Sequence, residues 1–128
     1  MDNEPNKSKL TLVVGATDNP ERYAFLAAEM LQNKGFDFSP IGIKKGMVFG
    51  EEILDLRQKP ALAGIHTITL YLGPQNQSEW MDYLIGLGPK RIIFNPGTEN
   101  PIFFSKAKEA KIEVLEACTL VMLTTGQF

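Results

Sequence analysis

Apolar and polar positions change period repeatedly along the chain, and the changes mark alternating strands and helices. Leu10-Thr11-Leu12-Val13-Val14 is a short, mostly apolar run that stops at Gly15. Such a run fits a strand covered on both faces within a parallel sheet. Asn19 then offers a helix cap and Pro20 a first helical residue. Tyr23, Leu26, Ala27, Met30 and Leu31 follow at helical spacing. Gly35 predicts a left-handed helix end, and Phe36 to Ile41 alternates as a second strand. From Gly42 to Gly64 the pattern weakens. It predicts a loop, a minor strand or helical turn, and a connection through Pro60. Thr67 to Leu72 is rich in β-branched and aromatic residues and stops at Gly73-Pro74, as a strand does. Ser78 is the predicted cap of a helix whose apolar face is Trp80, Met81, Leu84, Ile85 and Leu87, stopped by Gly88-Pro89. Arg91 to Phe94 is a fourth buried strand, closed by Asn95-Pro96-Gly97. Asn100-Pro101 repeats the cap-plus-proline start, with Phe103, Phe104, Ala107 and Ala110 facing inward. Ile112 to Leu115 is a last strand, and Cys118 to Leu123 is apolar without an assignable structure.

Strand, helix, strand, repeated, implies right-handed βαβ units. The expected architecture is a single α/β domain of three α/β/α layers around a doubly wound, Rossmann-like parallel sheet. A chain of 128 residues suits one core. Residues 1–8 are polar and mixed in charge, and are read as a flexible tail before a domain at 9–128. The tail has no apolar signal core, and no apolar run is long enough to span a bilayer, so a cytoplasmic location without a membrane partner is expected.

Charge narrows the partners. The formal net charge is −2 and the pI about 5.4. That balance argues against nucleic acid, which needs a basic excess over the phosphates. It leaves room for one small anionic ligand. A protein partner or a second copy of the chain stays open. One cysteine, Cys118, and one histidine, His66, exclude a disulfide framework and most Cys/His metal sites.

Three places could carry chemistry. Gly15-Ala16-Thr17-Asp18-Asn19-Pro20 joins the first strand to its helix, where doubly wound folds bind phosphates on a glycine turn and a helix start. Only one of the three glycines of G-x-G-x-x-G is present, so a plain tight turn is the competing reading. Asp18 would repel a phosphate. After the second strand, Pro40-Ile41-Gly42-Ile43-Lys44-Lys45-Gly46 lacks the acid that holds the ribose of NAD and has two lysines instead. That favours a ligand with an extra ribose phosphate, such as NADP or coenzyme A, against the alternative of a solvated loop. Gly73-Pro74-Gln75-Asn76-Gln77 and Asn95-Pro96-Gly97-Thr98-Glu99 should share the same rim. Catalytic groups are scarce: there is no G-x-S-x-G elbow and no Walker loop. His66, at a strand start, is read as structural. Cys118 is either an inert core thiol or a reactive one beside a thiol ligand.

Taken together, these motifs resemble a family. Val14-Gly15-Ala16-Thr17-Asp18-Asn19-Pro20-Glu21-Arg22 is similar to the G-A-S-x-N-P-x-R loop of the small stand-alone CoA-binding domain proteins of bacteria. Those proteins are related to the nucleotide-binding domain that opens the succinyl-CoA synthetase alpha subunit. Pro40-Ile41-Gly42-Ile43-Lys44 stands where the family has P-V-N-P-K, Val48-Phe49-Gly50 matches V-x-G, and Asn95-Pro96-Gly97 matches a later loop. The resemblance runs from about Leu10 to the end. It implies a binder of coenzyme A or an acyl-CoA without catalysis of its own. The backbone of Gly15, Ala16 and Thr17 would cradle the pyrophosphate with Arg22 as a partner, and Asn19 and Pro20 would belong to the same cofactor-binding set. Lys44 would face the adenosine phosphate. Pro74, Asn95, Pro96 and Gly97 would line the adenine and pantetheine path. Gly42 and Ile43 depart from the family's Asn-Pro. The synthetase's second domain with its phosphorylated histidine has no counterpart in these residues, so its ligase reaction does not carry over. An NAD(P)-binding enzyme or subunit with a separate catalytic partner is the alternative.

Overall fold

The computed structural model describes residues 9–128; the expected tail, residues 1–8, lies outside them. Five parallel pairings build one six-stranded sheet. Its main strands are β1 (Leu10–Val14), β2 (Phe38–Gly42), β6 (Ile65–Leu70), β7 (Arg91–Phe94) and β8 (Glu113–Glu116), with a two-residue edge strand, β5 (Leu54–Asp55). The order is β5-β2-β1-β6-β7-β8. The chain works outward from β1 in one direction, then returns to start again at β6. The sheet's switch point therefore lies between β1 and β6.

Alternation along the strands divides the core. Leu12, Val14, Ile68, Leu70, Ile92 and Phe94 point to the face covered by α2 (Met81–Gly86) and α3 (Pro101–Glu109), where Leu84, Phe103 and Ala107 meet them. Val13 and Phe38 point to the other face, where α1 (Tyr23–Asn33) and α4 (Thr119–Thr124) supply Ala24, Ala28, Leu31 and Leu123. The expected three-layer, doubly wound, Rossmann-like single domain is the observed one.

Several local expectations change. Asn19 does not cap α1. Its Oδ1 accepts from the Glu21 N–H at 3.0 Å and its carbonyl from the Arg22 N–H, so Asn19-Pro20 make a turn. The helix begins at Tyr23 behind an Arg22 cap with no side-chain hydrogen bond. Its buried face is Ala24, Ala27, Ala28 and Leu31, with Tyr23 exposed. Small alanines let the helix lie close to the sheet, and a tyrosine there would hold it off. Gly35 does end the helix with φ +84°, and the Phe36 N–H returns to the Leu31 carbonyl.

The weakly patterned stretch holds a hairpin of β3 (Met47–Val48) and β4 (Glu51–Glu52), then β5 and a single 3-10 turn, Leu56–Gln58. Phe49 and Gly50, both at positive φ, form its two-residue turn. Two-residue strands are too short for any period to show. Val48, Ile53 and Leu56 anchor the stretch by burial. Ser78 is not a cap either. A 3-10 turn, Pro74–Asn76, and buried Gln77 precede α2, which starts without a side-chain cap. Asn100 does cap α3, its Oδ1 accepting from Ile102 N–H and Phe103 N–H. Ala110 lies past the helix end and is exposed. The apolar Cys118–Leu123 stretch gives α4, which buries Thr119, Met122 and Leu123.

Candidate functional site

A cleft of about 600 Å³ opens at the carboxyl ends of β1, β2, β6 and β7, within the size range of small-molecule sites. All four loops singled out in the sequence contribute to it, because parallel strands deliver their following loops to one rim. Gly15, Ala16, Thr17, Arg22, Lys44, Pro96 and Gly97 line the wall. Asn19, Pro20, Pro74 and Asn95 do not. Asn19 and Pro20 shape the first loop behind the wall. Pro74 starts the 3-10 turn, and its neighbours Gly73, Gln75 and Asn76 take the wall positions.

The first loop is set by backbone packing. Gly15 has φ +92°, and a Cβ there would stand 3.0 Å from the Tyr71 carbonyl carbon and 3.1 Å from its oxygen. Gly42 lies equally close to Ala16, where a Cβ would meet the carbonyl oxygen at 3.1 Å. Both glycines let adjacent chain segments touch, so Gly15 is required by the fold before any ligand arrives. The amides of Gly15 and Ala16 both donate to the Ile41 carbonyl, at 2.9 and 3.1 Å. They offer the cleft backbone surface but no donor. Within the described residues the N–H groups of Thr17, Asp18, Tyr23 and Ala24 make no hydrogen bond. Donors suited to an anion therefore sit later in the loop and at the start of α1, where the helix dipole adds positive potential.

Side-chain charge agrees with this placement only in part. Arg22 and Lys44 line the cleft, and so does Glu21, an acid that sequence reading passed over. Asp18 is not on the cleft wall. Its carboxylate packs on Gly46, where a Cβ would lie 2.7 Å from Asp18 Oδ2.

The other two loops are held by buried amides. Gln77 is 1% exposed. Its Nε2 donates to the Leu72 and Thr98 carbonyls, both at 2.8 Å, and its Oε1 accepts from Asn100 Nδ2. One side chain thus ties the loop after β6 to the loop after β7. Asn95 is 2% exposed and does the same one layer deeper. Its Nδ2 donates to Thr69 Oγ1 at 2.8 Å and to the Leu70 carbonyl at 2.9 Å, and its Oδ1 accepts from the Thr119 N–H at 2.8 Å. Every polar group of the Asn95 side chain is spent inside the protein. Thr98, also buried, donates to the Asn95 carbonyl at 2.7 Å.

Tyr71 forms cleft wall that sequence reading did not anticipate. Burial pushes its hydroxyl up to about 12. That hydroxyl is sealed from solvent and lacks a hydrogen-bond partner of good geometry. The nearby Thr69 and Thr119 hydroxyls are closed on each other at 2.7 Å. Cys118, half-buried at the start of α4, is not on the cleft wall, and neither is His66. His66 Nδ1 is 2.8 Å from Thr67 Oγ1, which accepts from Arg91 Nε at 2.7 Å, at the opposite end of the sheet. Among the described residues no cluster of three or more His, Cys, Asp or Glu could hold a metal ion. No helix among them is long and apolar enough to cross a membrane.

Known proteins share this fold over most of the chain. The family model described as CoA binding domain matches residues 9–124. No curated protein matches the chain. A crystal structure of an uncharacterized protein is 48% identical, with a TM-score of 0.90, covering 94% of this chain and 98% of that one. A hypothetical protein from Pyrococcus horikoshii OT3 is 26% identical, TM-score 0.78, covering 93% and 83%. RSP, a Rex-family repressor solved in complex with β-NADH, is 19% identical, TM-score 0.59, covering 94% and 59%, a likeness of fold alone.

Proposed function

The chain belongs to the CoA binding domain family, and from that membership we propose that it binds coenzyme A or an acyl-CoA in the switch-point cleft, without catalysis of its own. The observation that supports this most is the convergence of four loops on one cleft. Unused amides at Thr17, Tyr23 and Ala24 and the cations Arg22 and Lys44 line that cleft. On this reading the pyrophosphate rests on the late part of the first loop and the start of α1, with Arg22 beside it. Lys44 faces the ribose phosphate. Pro96, Gly97 and the loop after β6 flank the rest of the ligand. On the same reading the protein would serve in the cytoplasm.

The test is thermal denaturation with coenzyme A, dephospho-CoA, NAD and NADP in parallel. A ligand at 100 times its dissociation constant adds about 2.7 kcal/mol, which raises Tm on the order of 10 °C for a domain of this size. Stabilisation by coenzyme A is expected. No response to coenzyme A would refute the reading, and a response to NADP alone would replace it with the nicotinamide-nucleotide alternative.

A further inference from the structure

A second cavity, of about 320 Å³, adjoins the cleft and shares Ile43 and Lys44 with it. Lys44, Lys45 and Arg57 line it, with Glu52 and Asp55 as the only acids. Arg57 comes from the 3-10 turn after β5 and belongs to none of the motifs in the sequence. Its guanidinium is held in place: Nε donates to Asp55 Oδ1 at 3.0 Å and Nη2 to the Ile43 carbonyl at 3.4 Å. Asp55 also accepts from the Arg57 backbone N–H, so it orients both ends of the residue. The Arg57 side chain bonds hold Asp55 below the usual carboxylate range, so the pair stays charged. A guanidinium has five N–H donors in a fixed fork. Two are committed to Asp55 and Ile43, which leaves the others for an anion entering beside Lys44 and Lys45.

We propose that this second cavity is a phosphomonoester subsite, in which Arg57, aimed by Asp55, reads the phosphate on the ribose of a nucleotide lying in the main cleft. The inference rests on the nucleotide reading of that cleft. Ile43 and Lys44 form the shared wall, so a ligand passing over them leaves one cavity and enters the other. A fork-shaped donor suits a terminal phosphate better than a bridging one, because a terminal phosphate presents several free oxygens on one side. The same chemistry is offered by the 3′-phosphate of coenzyme A and the 2′-phosphate of NADP.

The experiment is titration calorimetry of the wild type, Arg57→Ala and Arg57→Lys against two ligand pairs, coenzyme A with dephospho-CoA and NADP with NAD. Circular dichroism melts verify that each variant folds as the wild type does. The wild type should prefer the phosphorylated member of one pair, which identifies the source. Arg57→Ala should lower affinity for that member about tenfold, the scale of one partly exposed charge-assisted contact. The unphosphorylated member should change less than twofold. Arg57→Lys keeps the charge but loses the fork and should fall between. Equal losses for both members, or no loss for either, would overturn the proposal. Equal wild-type affinity for both members would also overturn it, while leaving the cleft assignment standing. Binding of none of the four would refute the cleft assignment and the subsite with it.

Discussion

Asn95 separates two explanations of the same motif, because sequence resemblance assigns it to the ligand and the structure uses it as a staple. Asn95→Ala deletes the bonds to Thr69 Oγ1, the Leu70 carbonyl and the Thr119 N–H. It also leaves the Thr119 N–H buried without a replacement, while Thr69 Oγ1 keeps the Thr119 hydroxyl. At about 1 kcal/mol net for each bond, with a small cavity added, the loss should be about 3–4 kcal/mol. A domain of this kind has a total stability of roughly 5–15 kcal/mol, so Tm should fall roughly 10–20 °C. Asn95→Asp is the sharper companion. It keeps an acceptor for Thr119 but turns a second oxygen toward the Leu70 carbonyl, where only a donor fits. Burial and that carbonyl hold the introduced carboxyl's folded pKa above its unfolded value of about 3.9. Its deficit against wild type should therefore be smallest below pH 4 and grow as pH rises through the folded pKa. Urea denaturation followed by circular dichroism at pH 3.5 and 7 measures both effects, with unchanged m-values confirming the same transition. A loss under 1 kcal/mol for Asn95→Ala, together with a tenfold drop in coenzyme A affinity, would refute the staple and return Asn95 to the ligand.

Gly15→Val should destabilise the fold by at least 2 kcal/mol, since its Cβ meets Tyr71 backbone and its φ is +92°; a stable variant that merely fails to bind coenzyme A would show the turn is looser than described. His66 is depressed below its ordinary 6.5 by desolvation, then by Arg91, Lys9 and Lys90, with Glu113 opposing. The unfolded chain therefore binds the proton more readily, and stability should fall as pH drops below about 6.5, ending at the folded pKa. Denaturation midpoints from pH 8 to 5 should show a slope that His66→Gln removes, and an unchanged slope would clear His66 of the effect.

What the sequence determined by itself is whatever depends on neighbours within a few residues. Apolar runs ending at Gly15, Gly73-Pro74 and Asn95-Pro96-Gly97 place β1, β6 and β7 and send their loops to one rim. Asn100 with Pro101 and the left-handed Gly35 are local bonds, legible as such. Strand and helix in alternation then leave the doubly wound sheet as the compact solution. What only the tertiary structure decided involves groups far apart in the chain. Asn19 has the residue type of a helix cap, yet packing of Ala24, Ala27 and Ala28 on the sheet sets the helix start at Tyr23. Asn95 and Gln77 read as loop residues, and become staples only when β6 and β7 lie side by side. Gly15 reads as a phosphate turn, and its necessity comes from Tyr71, 56 positions along the chain, whose backbone crowds the space a Cβ would need. The amides of Gly15 and Ala16 are claimed by Ile41 for the same reason. Arg57 joins Lys44 and Lys45 only because β5 pairs with β2. A linear pattern records propensity and period; it cannot record which hydrogen-bond donors are already taken, since that depends on which strands become neighbours.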